Sequence, residues 1–171
     1  KVAHIATSSI INCLRFVLAL VFAFSGFVKA IDPMGTVYKM ADYAEAFGLS
    51  VHPGLLFGGT VLLILLEYVM GVCLLFGLYR RFYLSGMIAF LLVMTPLTLY
   101  LAIYNPVSDC GCFGDAVMLT NWQTFGKNVV LLLMAIVTLV GSKRVWRVVS
   151  ERSQWLIFVY AVVSILLFMP Y

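Results

Sequence analysis

The sequence predicts an all-α fold, a polytopic bundle of membrane helices. Of the 171 residues, 64% are hydrophobic and only 11% are charged, whereas a soluble domain carries about 25% charged residues. Five apolar runs reach or approach the roughly 20 residues that a spanning helix needs. Most of the basic residues behind the net charge of +4 lie between these runs, where they indicate membrane orientation. The composition therefore predicts a lipid-bilayer environment and gives no reason to expect a nucleic-acid partner.

The apolar runs define the predicted elements in chain order. They are Ile10–Ile31, Leu55–Leu78, Phe82–Ile103, Trp122–Gly141 and Trp155–Tyr171. We expect residues 1–142 to form a four-helix membrane core and residues 143–171 to form a cytoplasmic connection and a fifth transmembrane helix. Because the last run ends without a polar flank, we expect the native chain to continue into an extracytoplasmic C-terminal domain.

The basic residues predict the orientation of the bundle. Arg80 and Arg81 lie between the second and third runs, and four more basic residues lie between the fourth and fifth. The connection Tyr104–Asn121 contains no Lys or Arg. By the positive-inside rule, the N-terminus is cytoplasmic and this connection is extracytoplasmic. Disulfides persist on the extracytoplasmic side.

A further helix is predicted in the first outer connection, over residues 33–48. Asp32 can cap this helix, Pro33 suits its first position and Gly48 suits the position after its end. Apolar residues repeat with helical spacing between these signals, while the charged ones fall elsewhere. The pattern fits either an amphipathic helix on the membrane surface or a lid over the bundle.

The most informative motif is the pair of cysteines in Asp109-Cys110-Gly111-Cys112-Phe113-Gly114-Asp115. Two cysteines one residue apart can share a disulfide-exchange reaction, or they can form an inert disulfide that tightens the loop. A metal site is not expected, because zinc needs three or four ligands. Asp109 and His52 could join the cysteines only if two separate loops met.

Several side chains are candidates for assisting the cysteines, by stabilising a thiolate or by orienting the loop. Lys29 and Lys127 lie near the outer ends of their helices, where snorkelling to the lipid headgroups is the alternative. His52 lies in the other outer connection, and Asp109 and Asp115 flank the cysteines. The remaining cysteines, Cys13 and Cys73, are expected to act as small apolar residues inside the membrane.

Two further charges lie within the apolar runs. Glu67 is in the middle of the second run, where an unpaired carboxylate is costly. Arg15 lies on the inward stripe of the first helix, about five residues from its midpoint, or ~7 Å at 1.5 Å per residue. We therefore predict an Arg15–Glu67 pair, which either fixes helix register or takes part in proton relay or substrate contact.

The glycine and charge pattern of the first two helices resembles the DoxX family. It comprises Arg15, Ser25-Gly26, Lys29, Glu67, Gly71, Gly77 and Arg81. The string Cys110-Gly111-Cys112-Phe113-Gly114-Asp115, with Asn121-Trp122 and Lys127-Asn128 after it, is similar to the MauE-like, redox-associated branch. The resemblance covers about residues 10–142. Larger relatives of this kind carry an extra helix and an extracytoplasmic C-terminal domain.

The resemblance implies a protein of the bacterial inner membrane with its Cys-Gly-Cys loop in the periplasm. It implies thiol–disulfide exchange by Cys110 and Cys112, with a thioredoxin-like periplasmic partner and further membrane-complex subunits. Electrons could pass to a membrane quinone, the one cofactor considered. An aromatic pocket for it could be lined by Tyr104, Phe113, Trp122 and Phe125, although such residues also form interfacial belts. The alternatives are a non-catalytic scaffold subunit and a proton-coupled solute transporter that uses Glu67.

Overall fold

The computed structural model describes residues 2–105, 111–115, 117, 119–146, 148–150 and 153–170. Within these residues the elements follow one another as α1 (Val2–Ile31), α2 (Pro33–Ala46), α3 (Pro53–Leu75), α4 (Arg80–Tyr104), β1 (Cys112–Asp115), α5 (Asn121–Val140), a 3₁₀ turn (Ser142–Arg144) and α6 (Gln154–Phe168). The predicted helical membrane bundle is thereby confirmed. Four helices are long and apolar enough to cross a bilayer: residues Thr7–Ile31 of α1, then α3, α4 and α5.

The fifth apolar run also forms a helix, but a shorter one than the prediction implied. α6 has 15 residues, which span about 22 Å at 1.5 Å per residue. It crosses much of the bundle nevertheless. The segment before α6 touches the end of α3, where the Val148 amide donates to the Phe76 carbonyl. Near the other end of α6, Ile165 packs in one cluster with Ala30 and Ile64.

Close approach of α1 and α3 sets their relative height. A Cβ at Gly26 would lie 2.6 Å from the backbone nitrogen of Tyr68, and one at Gly71 would lie 2.8 Å from the Ala19 carbonyl oxygen. Backbones can approach this closely only where the side chain is a hydrogen, as in other small-residue contacts between membrane helices. The two contacts place Gly26 level with Tyr68 and Ala19 level with Gly71.

The bundle has two chemically different ends. At one end, which we call the basic end, polar side chains hold the segment that follows α5. Arg15 donates to the Trp146 carbonyl at 2.8 Å, and Arg80 donates to the Val145 carbonyl at 2.5 Å. At the other end lie α2 and β1, and we call it the α2 end.

Helix α2 packs against α1, α3 and β1 and covers this end of the bundle as a lid, while its predicted place at the outer membrane surface stays a prediction. Asp32 caps the helix by accepting a hydrogen bond from the Gly35 amide at 2.9 Å. Pro33 occupies the first turn, as the sequence predicts. The inward face of α2 carries Thr36, Lys39, Met40 and Tyr43, which line a cavity inside the bundle.

Candidate functional site

A cavity of about 90 Å³ lies under the lid, lined by residues of α1, α2, α3, α4, β1 and α5. We call it the charged cavity, because an otherwise apolar wall contains three lysines and one glutamate. Its apolar lining includes Val21, Phe22, Leu63, Phe90, Leu91, Met94, Leu97, Phe113 and Leu131. Its polar lining includes Ser25, Lys29, Thr36, Lys39, Tyr43, Glu67, Cys112, Lys127 and Asn128.

The deepest charges in the wall form an ion pair between α1 and α3. Lys29 Nζ lies 2.5 Å from Glu67 Oε2, and the two residues are only 4% and 5% exposed. Removing two charges from water costs free energy that their attraction need not recover. Within a membrane protein, a buried pair of this kind is by default a candidate functional site.

The predicted Arg15–Glu67 pair is wrong. Arg15 is fully buried, but its Nη1 donates to the Trp146 carbonyl at the basic end. Its guanidinium also lies over the Phe16 ring, 4.4 Å from the centroid. Since α1 and α3 meet with Gly26 beside Tyr68, the residue that reaches Glu67 is Lys29, one turn from Ser25 and Gly26. Lys29 thus serves as the ion-pair partner and does not snorkel to the headgroups.

Ser25 joins this pair to β1, the strand that begins at Cys112 and that we call the cysteine strand. Its Oγ lies 2.8 Å from Glu67 Oε2, 2.9 Å from Lys29 Nζ and 2.6 Å from the backbone carbonyl oxygen of Cys112. Cys112 itself is half-buried and lines the charged cavity. The structure therefore connects one predicted cysteine directly to the intramembrane charges.

The approach of β1 to the lid requires glycine at position 111. Gly111 has φ +61°, in the left-handed region, which is costly for residues that have a Cβ. A Cβ at this position would also lie 3.2 Å from Cγ of Lys39 on α2. The aliphatic part of Lys39 thus packs on the backbone just before Cys112.

Lys127 approaches the same strand from α5. Its ammonium lies 4.3 Å from the centroid of the Phe113 ring, a cation–π distance. The Phe113 ring also packs against Phe24 of α1, with 5.8 Å between centroids. Lys127 therefore lies beside the residue that follows Cys112, although its predicted effect on a thiolate stays a prediction.

The other predicted assistants and aromatic residues lie away from the cavity wall. His52 is exposed and caps α3, since its Nδ1 accepts from the Gly54 amide at 3.1 Å. Of the four residues predicted to line a quinone pocket, only Phe113 lines the cavity. Tyr104 and Trp122 are 68% and 60% exposed. Phe125 packs against Trp122, with 6.3 Å between centroids.

Three predicted site residues cannot be placed among these contacts. Cys110 and Asp109 lie outside the described residues, and the side chain of Asp115 does too. Cys13 is exposed on α1, while Cys73 is fully buried in the core. Among the described residues, no group of three or more His, Cys, Asp or Glu is arranged to hold a metal ion.

Some lining residues were not predicted as site residues from the sequence. Ser25 appeared only within the resemblance, although its spacing of four from Lys29 places both on one helix face. Asn128 is 3% exposed, and its amide donates to Thr98 of α4 at 3.3 Å. Asn128 follows Lys127 in the chain, and a buried amide in an apolar run is itself a signal of a polar contact between helices. Lys39 and Tyr43 were hidden because the lid position of α2 was undecided.

Fold and cavity together define a multi-pass membrane protein with a charged cavity lined in part by a lid helix and a cysteine strand. The family model described as methylamine utilisation protein MauE matches residues 7–141. The chain belongs to this family. The predicted MauE-like assignment is thereby confirmed, whereas the likeness to the DoxX family stays a prediction. No curated protein and no solved structure matches the chain.

Proposed function

We propose that this chain carries out thiol–disulfide exchange with extracytoplasmic proteins through Cys110 and Cys112 and passes the electrons to a membrane quinone. The observation that carries the proposal is the hydrogen bond between Ser25 and the Cys112 carbonyl, which attaches the cysteine strand to a buried Lys–Glu pair. An inert staple would gain nothing from an ion pair that is costly to bury. The family description supports a setting in methylamine utilisation.

The proposed exchange has two steps, followed by reoxidation of the loop. A thiolate of the partner attacks the Cys110–Cys112 disulfide, forms a mixed disulfide and releases one loop thiol. The second partner thiol then attacks the mixed disulfide, so that the partner leaves oxidised and the loop becomes a dithiol. Two electrons and two protons have moved to the loop. The loop dithiol returns to the disulfide by giving both electrons and both protons to a quinone.

The charged cavity has the chemistry that a quinone ring needs. Phe22, Phe90 and Phe113 offer aromatic faces, and Met94 offers a polarisable side chain beside them. Lys127 provides a cation for a ring oxygen at the same wall. A bound quinone would supply a two-electron, two-proton acceptor. The residues of this chain would bind the ring and keep it beside Cys112.

Trapping tests the proposal. In the full-length protein in its native membrane, Cys110→Ser and Cys112→Ser each remove one thiol of the pair. At least one variant should accumulate a mixed disulfide with the oxidised form of a thioredoxin-like extracytoplasmic protein, because the remaining loop thiolate attacks the partner's disulfide and no second loop thiol is present to displace the partner. Non-reducing gels and mass spectrometry measure the adduct. Cys13→Ser, a change at the exposed cysteine of α1, is the matched control and should trap nothing.

A second measurement separates exchange from stapling. Closing a loop of three residues removes little chain entropy, so an exchange pair can be lost without large effects on stability. If Cys110 and Cys112 exchange disulfides, each single variant should unfold at the same temperature as the wild type and should fail to oxidise the partner. If both variants retain full partner oxidation and trap no partner, the exchange proposal is wrong and the scaffold role replaces it.

A further inference from the structure

Four short contacts meet at Ser25, Lys29 and Glu67, which we call the triad, and at the Cys112 carbonyl. Lys29 Nζ lies 2.9 Å from Ser25 Oγ and 2.5 Å from Glu67 Oε2. Ser25 Oγ lies 2.8 Å from that same Oε2 and 2.6 Å from the Cys112 carbonyl oxygen. Each triad residue is more than nine-tenths buried. Polar groups at such a depth are expected to have hydrogen-bond partners.

The hydrogens available with an ionised Glu67 are one too few for these contacts. A lysine ammonium has three hydrogens, which is enough for its two contacts, and a serine hydroxyl has one. An ionised carboxylate and a backbone carbonyl have none. Ser25 nevertheless approaches both Glu67 and the Cys112 carbonyl at distances typical of O–H···O bonds. The set is complete when Oε2 carries a proton and donates it to Ser25 Oγ, which frees the Ser25 hydrogen for Cys112.

We propose that the triad binds one exchangeable proton, and that this proton controls how firmly the Cys112 strand is held. With the proton bound, Ser25 donates to the Cys112 carbonyl. Without it, the Ser25 hydrogen has two acceptors, and the charged carboxylate is the stronger one. The Cys112 carbonyl then loses its hydrogen bond to Ser25, and the strand is held less firmly. Ser25 is thus a positioning residue for the cysteine pair, and the inference deepens the proposed exchange function.

Titratable side chains outside the triad line the cavity on the lid, on α5 and on β1. On the lid, Lys39 and Tyr43 line the same cavity; on α5, Lys127 does; and on β1, Cys112 does. The α4 lining consists of Phe90, Leu91, Met94 and Leu97, which do not titrate.

The first experiment detects the proton directly. Infrared spectra of the full-length protein in lipid nanodiscs, recorded as a function of pH, should show a protonated carboxyl band that Glu67→Gln removes. Ser25→Ala should shift that band, because the acceptor of the carboxyl proton is lost. Ser164→Ala is the matched control, since the Ser164 hydroxyl donates only to Ala161 of its own helix. The proton site is ruled out if Glu67→Gln removes no such band at any pH at which the protein stays folded.

The second experiment measures the strand. Hydrogen–deuterium exchange of residues 112–115, corrected for intrinsic rates, gives a protection factor that should fall as pH rises in the wild type. Ser25→Ala should lower protection at acidic pH by about fivefold, the factor that a hydrogen bond of about 1 kcal/mol represents, and should flatten the profile. Ser25→Thr, which keeps the hydroxyl, should retain the profile, as should Ser164→Ala.

Glu67→Gln should change the protection of the strand in the direction opposite to Ser25→Ala. A merely structural effect of the substitutions would lower protection in both variants. The glutamine amide can donate to Ser25 at every pH, as the protonated acid does. Protection of the strand should therefore remain high as pH rises. A protection profile in Glu67→Gln that falls with pH as in the wild type overturns the coupling.

These measurements do not require disulfide exchange to occur. If trapping fails but the carboxyl band and the protection profiles behave as described, the exchange proposal is wrong and the proton-linked anchor stands. If trapping succeeds and the band is missing, the exchange proposal stands and the triad is only an ion pair. Failure of Glu67→Gln to fold leaves Ser25→Ala and Ser25→Thr to decide the coupling.

Discussion

At the scale of single residues, the partner of Glu67 shows what the sequence could and could not predict. The position of Glu67 inside a spanning helix is readable from the chain, and so is its orientation toward another helix. Its partner depends on how far α1 is displaced along α3. The spacing of side chains within one helix does not determine that displacement. Counting from helix midpoints led to Arg15. The contact of Gly26 with Tyr68 places Gly26, not Arg15, at the height of Glu67. Arg15 is eleven residues from Gly26, which is about 16 Å along the helix at 1.5 Å per residue.

Ser25 illustrates the same limit for the cysteine strand. Its hydrogen bond to Cys112 joins positions 87 apart in the sequence. Such a non-local contact leaves no trace in periodicity or composition. The loop motif predicts chemistry at Cys112, but only the folded bundle shows that its backbone is attached to the Lys29–Glu67 pair.

The ion pair leads to a prediction about stability. At a pH at which the triad has released its proton, Lys29→Met or Glu67→Leu alone leaves one buried charge without its partner, which should destabilise the protein by roughly 3–5 kcal/mol. The double variant Lys29→Met/Glu67→Leu should recover most of this loss, because both charges are gone and apolar side chains of similar size remain. Thermal unfolding in detergent micelles measures the effect. Equal destabilisation by the double variant and by the sum of the singles would show that the two charges do not interact.

At the scale of elements, the sequence predicted the helices better than it predicted the short strand β1 or the length of α6. Apolar length identified the four spanning helices, and the Asp32, Pro33 and Gly48 signals identified α2. The short strand β1 was not predicted. Its contacts are made by Lys39, Lys127 and Ser25, which lie on three other elements and are distant from it in the sequence. The fifth run was expected to span, but its helix ends at Phe168 after 15 residues.

The contact between α1 and α3 gives an element-scale prediction with an internal control. Gly71→Ala would place a Cβ 2.8 Å from the Ala19 carbonyl oxygen and against the Ala23 backbone. Since backbone cannot swing aside as a side chain can, we expect a destabilisation of about 1–3 kcal/mol. Gly58→Ala changes the same helix where a Cβ meets nothing within 4 Å. It should leave thermal stability unchanged or slightly raised, because alanine favours helix.

A change in the α1–α3 register should also disturb the Lys29–Glu67 pair and the strand held by Ser25. If Gly71→Ala shifts α1 along α3, Lys29 and Glu67 no longer meet at 2.5 Å, and the protection of strand 112–115 should fall with stability. Gly58→Ala should leave that protection unchanged. An equal effect of the two substitutions on unfolding would mean that the close helix approach at Gly71 is not a determinant of the fold.

At the scale of the whole molecule, the charges divide the bundle into two ends. Arg80, Arg81, Lys143 and Arg144 lie at the basic end together with the buried Arg15. The exposed charges of the lid helix at the α2 end are acidic, Asp42 and Glu45. An asymmetry of this kind between the two ends of a helical bundle is what the positive-inside rule reads. By this rule we predict that the charged cavity and the Cys112 strand face the extracytoplasmic side.

Accessibility of one engineered cysteine at each end tests this orientation. Ser50, exposed between α2 and α3, and Ser150, exposed after the 3₁₀ turn, are matched positions of the same residue type. In a Cys110→Ser/Cys112→Ser background, Ser50→Cys should react with a membrane-impermeant maleimide in intact spheroplasts. Ser150→Cys should react only after the membrane is permeabilised, because the basic end faces the cytoplasm. The same background without an added cysteine corrects for labelling of Cys13. The reverse pattern would put the cysteine strand in the reducing cytosol, where a stable disulfide is not expected, and would remove the compartment on which the exchange proposal depends.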